Sequence, residues 1–159
     1  MRYLVMLALC TVLVACEQEM SVEEQRAAVE ASQVPPVIPE EPQAIRYTDI
    51  EKYEIYGSSC AFAPEGGGLG ALAIAMADAG YMKIDGDIVS FSPDTGSGEL
   101  PLGARERYTD THYSFVLTLD QDQGRQAGYE TQDFPARLVL RNERDQVVYQ
   151  AKGLAQCGV

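Results

Sequence analysis

Tyr113-Ser114-Phe115-Val116-Leu117-Thr118-Leu119 is the stretch whose reading decides the fold. Tyr113, Phe115, Leu117 and Leu119 fall on one side of an extended chain, opposite Ser114, Val116 and Thr118. That two-residue period is the pattern of a half-buried strand. Downstream, residues 137–141 and 146–151 flank Asn142-Glu143-Arg144-Asp145 and predict a hairpin. Upstream, Asp85-Gly86 separates Tyr81-Met82-Lys83-Ile84 from Ile88-Val89-Ser90-Phe91. It is the strongest short hairpin signal in the chain, because a two-residue type I′ turn requires positive φ at both positions. Further upstream, Leu72, Ile74 and Met76 alternate with Ala71, Ala73, Ala75 and Ala77, which predicts a strand with a flat alanine face, although alanine also suits a helix. Cys60-Ala61-Phe62-Ala63 reads as a short strand ending at Pro64, before the breaker Gly66-Gly67-Gly68-Leu69-Gly70. Residues 93–98 and 120–133 read as loops. Thr48-Asp49-Ile50-Glu51 has the capping-box form and predicts a short helix to about Tyr56, burying Ile50 and Tyr53. Together these pieces predict a mainly β domain over 46–159. It is a small antiparallel barrel or sandwich with one short N-terminal helix, closed by one disulfide.

What precedes that domain reads as an address. Arg2 and the apolar run from Leu4 to Ala15 follow the grammar of an export signal, and the run is too short to span a bilayer. Leu13-Val14-Ala15-Cys16 looks like a bacterial lipobox. In the lipoprotein class it resembles, residues 1–15 are removed, and Cys16 carries a diacylglycerol and an acylated amine. Several acyl chains give stable anchoring where one gives only marginal binding. Glu17 follows the anchor, so an Asp-type inner-membrane retention signal is absent and the outer membrane is favoured. Residues 16–45 then read as the lipid anchor and an acidic, Pro-rich tether. Ser21-Val22-Glu23-Glu24 could start a helix to about Ala31, while Pro35, Pro36, Pro39 and Pro42 impose an extended spacer.

The net charge of −12 becomes one unit more negative when Arg2 leaves with the signal. Such a chain offers no nucleic-acid surface, because phosphate binding needs clustered Lys and Arg. Direct adhesion to anionic headgroups is disfavoured for the same reason. Of the cysteines, Cys10 leaves with the signal and Cys16 is acylated, so Cys60 and Cys157 remain. In an oxidising envelope they should pair, the alternative being two buried free thiols.

No catalytic constellation emerges. Asp94-Thr95-Gly96-Ser97 has the lettering of an aspartic-protease signature, but lacks a second copy and the flanking apolar strands that chemistry needs. The Gly66–Gly70 run precedes a strand pattern rather than the helix of a dinucleotide fingerprint. Asp120-Gln121-Asp122-Gln123-Gly124 places its Gly one position early for a calcium loop, with Thr131 where Glu is needed. His112, the only histidine, reads as an exposed polar position, and Lys83 as a guard of a strand edge. No metal and no cofactor are expected.

Three segments taken together resemble the lipoprotein inhibitors of c-type lysozyme: Tyr56-Gly57-Ser58-Ser59-Cys60, Gly103-Ala104-Arg105-Glu106-Arg107-Tyr108, and Cys157 near the end. The resemblance implies a small antiparallel barrel whose first and last cysteines pair. It also implies a partner-binding loop carrying Gly103, Arg105 and Tyr108 that enters the enzyme's cleft. Leu102 stands where that family's motif has Ser, and extra residues separate Gly103 from Tyr108. More broadly the chain resembles bacterial lipoproteins, a class defined by its anchor. The function expected is a non-catalytic, membrane-tethered periplasmic domain that binds an envelope partner or an unknown ligand, with lysozyme inhibition as the alternative.

Overall fold

The computed structural model describes residues 21–33, 35–68 and 70–159, so the predicted signal and the Cys16 lipidation site lie outside the described residues. The chain divides into two units at Pro36/Val37. In the first, helix α1 spans Val22–Gln33. Its start is the predicted capping box: the Ser21 N–H donates to the Glu24 carboxylate at 2.9 Å, and the Glu24 N–H donates to the Ser21 hydroxyl at 3.2 Å. Val22 and Val29 are exposed, so this helix rests on its cap and on exposed pairs such as Arg26–Glu30. Among the described residues, no helix is long and apolar enough to cross a membrane.

The second unit is built from strands β1 (Ser59–Pro64), β2 (Ala73–Met76), β3 (Gly80–Ile84), β4 (Asp87–Pro93), β5 (Arg107–Thr109), β6 (Tyr113–Leu119), β7 (Arg125–Gln126), β8 (Gln132–Asn142) and β9 (Val147–Gly158). They pair in the order β6-β5-β4-β3-β2-β1-β9-β8-β7, and β6 also pairs with β8. That last pairing, from Tyr113↔Asn142 to Leu119↔Ala136, closes an eight-stranded antiparallel barrel and leaves β7 as an appendage on β8. The fold is therefore the barrel of the two predicted architectures, and closure removes the strand edges that a sandwich would expose.

The decisive stretch forms β6, and its Phe115 and Leu117 are fully buried. Phe115 stacks on Tyr108 with centroids 4.9 Å apart and meets Phe91 edge-on at 5.0 Å. Gly80 lies under this cluster, where a Cβ would come within 2.7 Å of both the Tyr108 and Phe115 rings. The Asp85-Gly86 turn is as read, with positive φ at both residues and Ile84 paired to Asp87.

In β2 both faces are buried. Ala73 and Ala75 face the filled barrel interior, whereas Ile74 and Met76 join Ile45, Ile55 and Ile50 in a second cluster outside it. That cluster lies under a second helix, α2 (Tyr47–Tyr53), the one short helix expected at the start of this domain. Arg46, not Thr48, precedes α2, and its N–H donates to Asp49 at 2.9 Å. Thr48 falls inside the helix because the reaching carboxylate sits three positions after Arg46. Ile50 packs as expected, but Tyr53 stays exposed. Lys83 is not an edge guard: its Nζ donates to Asp49 Oδ1 at 2.8 Å with both side chains largely covered, which ties α2 to β3. That bond holds the Asp49 carboxyl below its ordinary value.

Residues 37–45, assigned to the tether by composition, belong to the second unit. They cross the barrel end where the β3–β4 and β8–β9 hairpins turn. The Glu40 N–H donates to Val148 O, the Gln43 N–H to Lys83 O and the Ile45 N–H to Ala71 O, at 3.0, 2.8 and 2.7 Å. Pro42 lies between these donors and Pro39 just before the first, at positions where no N–H is needed. Tyr113 donates its phenol hydrogen to the Glu40 carboxylate at 2.8 Å. Gly70 ends the glycine run at φ 141°, and a Cβ there would lie 2.9 Å from the Ala44 Cβ.

The loop expected over 120–133 is more structured than its polarity implied. It holds the short turn Gln121–Gln123 and β7, and β8 begins at Gln132. Likewise β9 runs on to Gly158, because small inward residues such as Ala151 and Ala155 hide the apolar alternation.

Candidate functional site

The end of the barrel opposite residues 37–45 gathers the cysteines and the loop singled out from sequence. Cys60 and Cys157 are direct partners in the β1–β9 register and form the expected disulfide, with an S–S distance of 2.03 Å. The loop between β4 and β5 folds over this bridge. Leu100 and Ala104 are buried, and the Leu100 N–H donates to Ala104 O at 2.9 Å. Between them the turn Pro101–Gly103 takes left-handed φ at Leu102 (62°) and Gly103 (77°). A β-carbon at φ near 60° costs roughly 1 kcal/mol or more, so this conformation persists only where neighbours enforce it. Its result is an apolar side chain turned outward: Leu102 is 44% exposed.

Tyr108 is the enforcer. Its ring is fully buried, and its hydroxyl donates to Met76 O at 2.6 Å while accepting the Arg105 N–H at 2.8 Å. Burial raises the phenol above its ordinary value, which keeps it protonated as a donor. Of the three loop residues named from the resemblance, Gly103 and Arg105 thus sit on the loop, whereas Tyr108 holds it from beneath. Arg105 is partly covered and lies 3.6 Å from the Glu99 carboxylate, across the Glu99↔Arg105 bridge that closes the loop.

Facing this loop is the turn after β7. Between the two lies a cleft of about 380 Å³, lined by Pro101, Leu102, Gln126, Tyr129, Glu130 and Gln132. Tyr129 is 97% exposed, so an aliphatic and an aromatic side chain stand free on either side of amide and carboxylate groups. Such a lining can hold apolar and hydrogen-bonding groups of a partner. It contains no paired nucleophile and base. Sequence reading missed Leu102 and Tyr129. The signal that could have found the first is a large apolar residue between Pro101 and Gly103. Tyr129, in a polar stretch, carried none beyond its isolation.

The remaining motifs are local structure. Asp94 Oδ1 accepts the Gly96 N–H at 2.9 Å, and the Ser97 hydroxyl donates to Asp94 O at 2.7 Å while accepting the Arg107 N–H at 3.2 Å. This is an Asx turn that anchors β5. The His112 side chain is 70% exposed, with Nδ1 3.8 Å from Glu143. Among the described residues, no group of three or more His, Cys, Asp or Glu side chains converges as metal ligands would. Comparison with protein-family models, with curated proteins and with solved structures finds no match to this chain.

Proposed function

We propose that this protein is a non-catalytic binding domain of the bacterial cell envelope, lipid-anchored through Cys16, facing the periplasm and favouring the outer membrane. The Leu13-Val14-Ala15-Cys16 lipobox and the pairing of Cys60 with Cys157 support that location. The observation that carries the binding role is the outward Leu102. An apolar side chain is held at a left-handed position by a buried tyrosine and faces an exposed Tyr129 across a cleft. Exposed apolar side chains set rigidly beside a cleft are a mark of recognition surfaces. The partner is an envelope protein, and the cleft is where it meets the domain. A photo-crosslinking residue placed at Leu102 in cells should trap one stoichiometric partner, and the same probe at Val147 should not. Equal trapping from both positions would sink the assignment of this face. The anchor has a separate test: Cys16→Ala should move the protein from the membrane fraction to the soluble periplasm.

A second reading, inhibition of a c-type lysozyme, is favoured by the loop 99–105 projecting beside the disulfide. In it Leu102 and Arg105, rather than the buried Tyr108, would meet the enzyme. Titrating a c-type lysozyme with the domain decides this. Loss of activity at one equivalent supports inhibition, and full activity at large excess removes it.

A further inference from the structure

The excess of acid in this chain is not spread evenly over the barrel. On the outward side of four neighbouring strands the register sets Arg107 of β5 opposite Val116 of β6, Val116 opposite Val139 of β8, and Val139 opposite Gln150 of β9. One step along the strands, Thr118, Arg137 and Lys152 form the next row. The alternate residues Tyr108, Leu117 and Leu138 are fully buried, so these rows face away from the core. Arg137 and Lys152 are both exposed and stand directly opposite each other. Like charges in that position destabilise a sheet.

No ion pair among the described residues neutralises them. Among the described residues, ion pairs engage Arg26, Lys83, Arg105, His112, Arg141 and Arg144, and none engages Arg107, Arg137 or Lys152. Arg137 is instead held by an amide, donating to Gln150 Oε1 at 2.6 Å. Arg107 buries its Nε without a hydrogen-bond partner. The carboxylates lie toward the strand ends: Asp110, Glu143 and Asp145 around Arg107 at one end, Asp120 and, on β8 itself, Asp133 at the other, with Glu65 following β1 beside Lys152.

We propose that this outward face of β5, β6, β8 and β9 docks an acidic polypeptide segment lying across the strands. Its carboxylates meet Arg107, Arg137 and Lys152, and its apolar side chains rest on the half-covered Val116 and Val139. The carboxylates at the strand ends disfavour a broad anionic surface such as a bilayer, which would press against them, while a narrow chain runs between them. The two valines favour a polypeptide over a uniformly polar polyanion. This face is separate from the Leu102 cleft and does not depend on its role.

The test uses the full-length chain, a fluorescein-labelled peptide of alternating Glu and Val, and phosphatidylglycerol vesicles as the competing surface. Fluorescence anisotropy should show saturable binding of the peptide that weakens as salt rises. Lys152→Glu should lower the peptide affinity by roughly fivefold to tenfold, the size of an exposed ion pair turned into a repulsion. The same variant should melt close to the parent, because Lys152 is exposed and the change turns the pair with Arg137 attractive while making the neighbouring Glu65, whose N–H donates to Lys152 O at 3.1 Å, a like charge. Lys52→Glu, the same charge change on α2 and outside this face, should leave the affinity unchanged. Absence of saturable binding overturns the proposal, as does equal weakening by Lys152→Glu and Lys52→Glu. Vesicle capture sensitive to Lys152→Glu without peptide binding would assign the face to lipid and overturn it too.

Discussion

Replacing Tyr108 with Phe isolates what holds the disulfide-end loop. The ring keeps its stacking on Phe115, and only the hydroxyl is lost. That hydroxyl serves two backbone groups, as donor to Met76 O at 2.6 Å and as acceptor from the Arg105 N–H at 2.8 Å. A hydrogen bond contributes about 1 kcal/mol net, but a buried group stripped of its partner costs about 1–3 kcal/mol. Met76 is 9% exposed, so its carbonyl belongs at the upper end of that range. Arg105 lies nearer solvent and can recruit water, so its N–H belongs at the lower end. The sum is about 4 kcal/mol. With a urea slope of about 2 kcal/mol per molar, the midpoint should fall by about 2 M. Hydrogen exchange gives the local readout. The Arg105 amide should exchange much faster in Tyr108→Phe, while the Leu117 amide, bonded to Glu106 O at 2.8 Å, should keep its relative protection. A midpoint within error of the parent, together with an Arg105 amide still protected, would refute the claim that Tyr108 enforces the Leu102 conformation.

Three further outcomes are expected. Reducing the Cys60–Cys157 bridge, which spans a sequence separation of 97, should cost roughly 4–5 kcal/mol in the chain-entropy model, read as a lower urea midpoint under dithiothreitol; equal midpoints would contradict the model. The Lys83 hydrogen bond lowers the folded-state pKa of Asp49 below the ordinary 3.8, so its stabilisation is complete above that value and is lost as the pH falls through the folded value. Asp49→Asn should therefore be less stable than the parent at neutral pH and lose less stability on acidification; parallel pH curves would disprove this. Burial, with the hydrogen bond to Glu40 second, pushes the Tyr113 phenol up to about 12. Glu40→Gln should bring its ultraviolet-detected ionisation to lower pH, and an unmoved titration would show that residues 37–45 do not bear on Tyr113.

Much of the architecture was legible because its signals are local. Phe115 and Leu117 announce their strand by alternating with polar neighbours, and Asp85-Gly86 announces its turn by the φ it must adopt. Less was legible where one residue answers to two surfaces. In β2 the large side chains point outward because α2 and Ile45 cover them, so an alternation that reads as one buried face conceals two. Lys83 read as an edge residue because its carboxylate partner is Asp49, on an element distant in sequence. In the candidate site, Tyr108 was singled out for the wrong side of the wall. Arg105-Glu106-Arg107-Tyr108 shows no apolar period, so nothing local says that the tyrosine turns inward.

By itself the sequence determined the β class, the hairpin turns and the pairing of Cys60 with Cys157. Each follows from neighbouring residues or from counting thiols. Tertiary structure alone decided that β6 closes on β8, that residues 37–45 cap one barrel end, and that Leu102 and Tyr129 face each other at the other. It also brought Arg107, Arg137 and Lys152 onto one face of an otherwise acidic molecule. The physical reason is common to all four. They depend on registers between segments far apart in the chain, and a register is set by how distant side chains fill a shared interior, which no local pattern encodes.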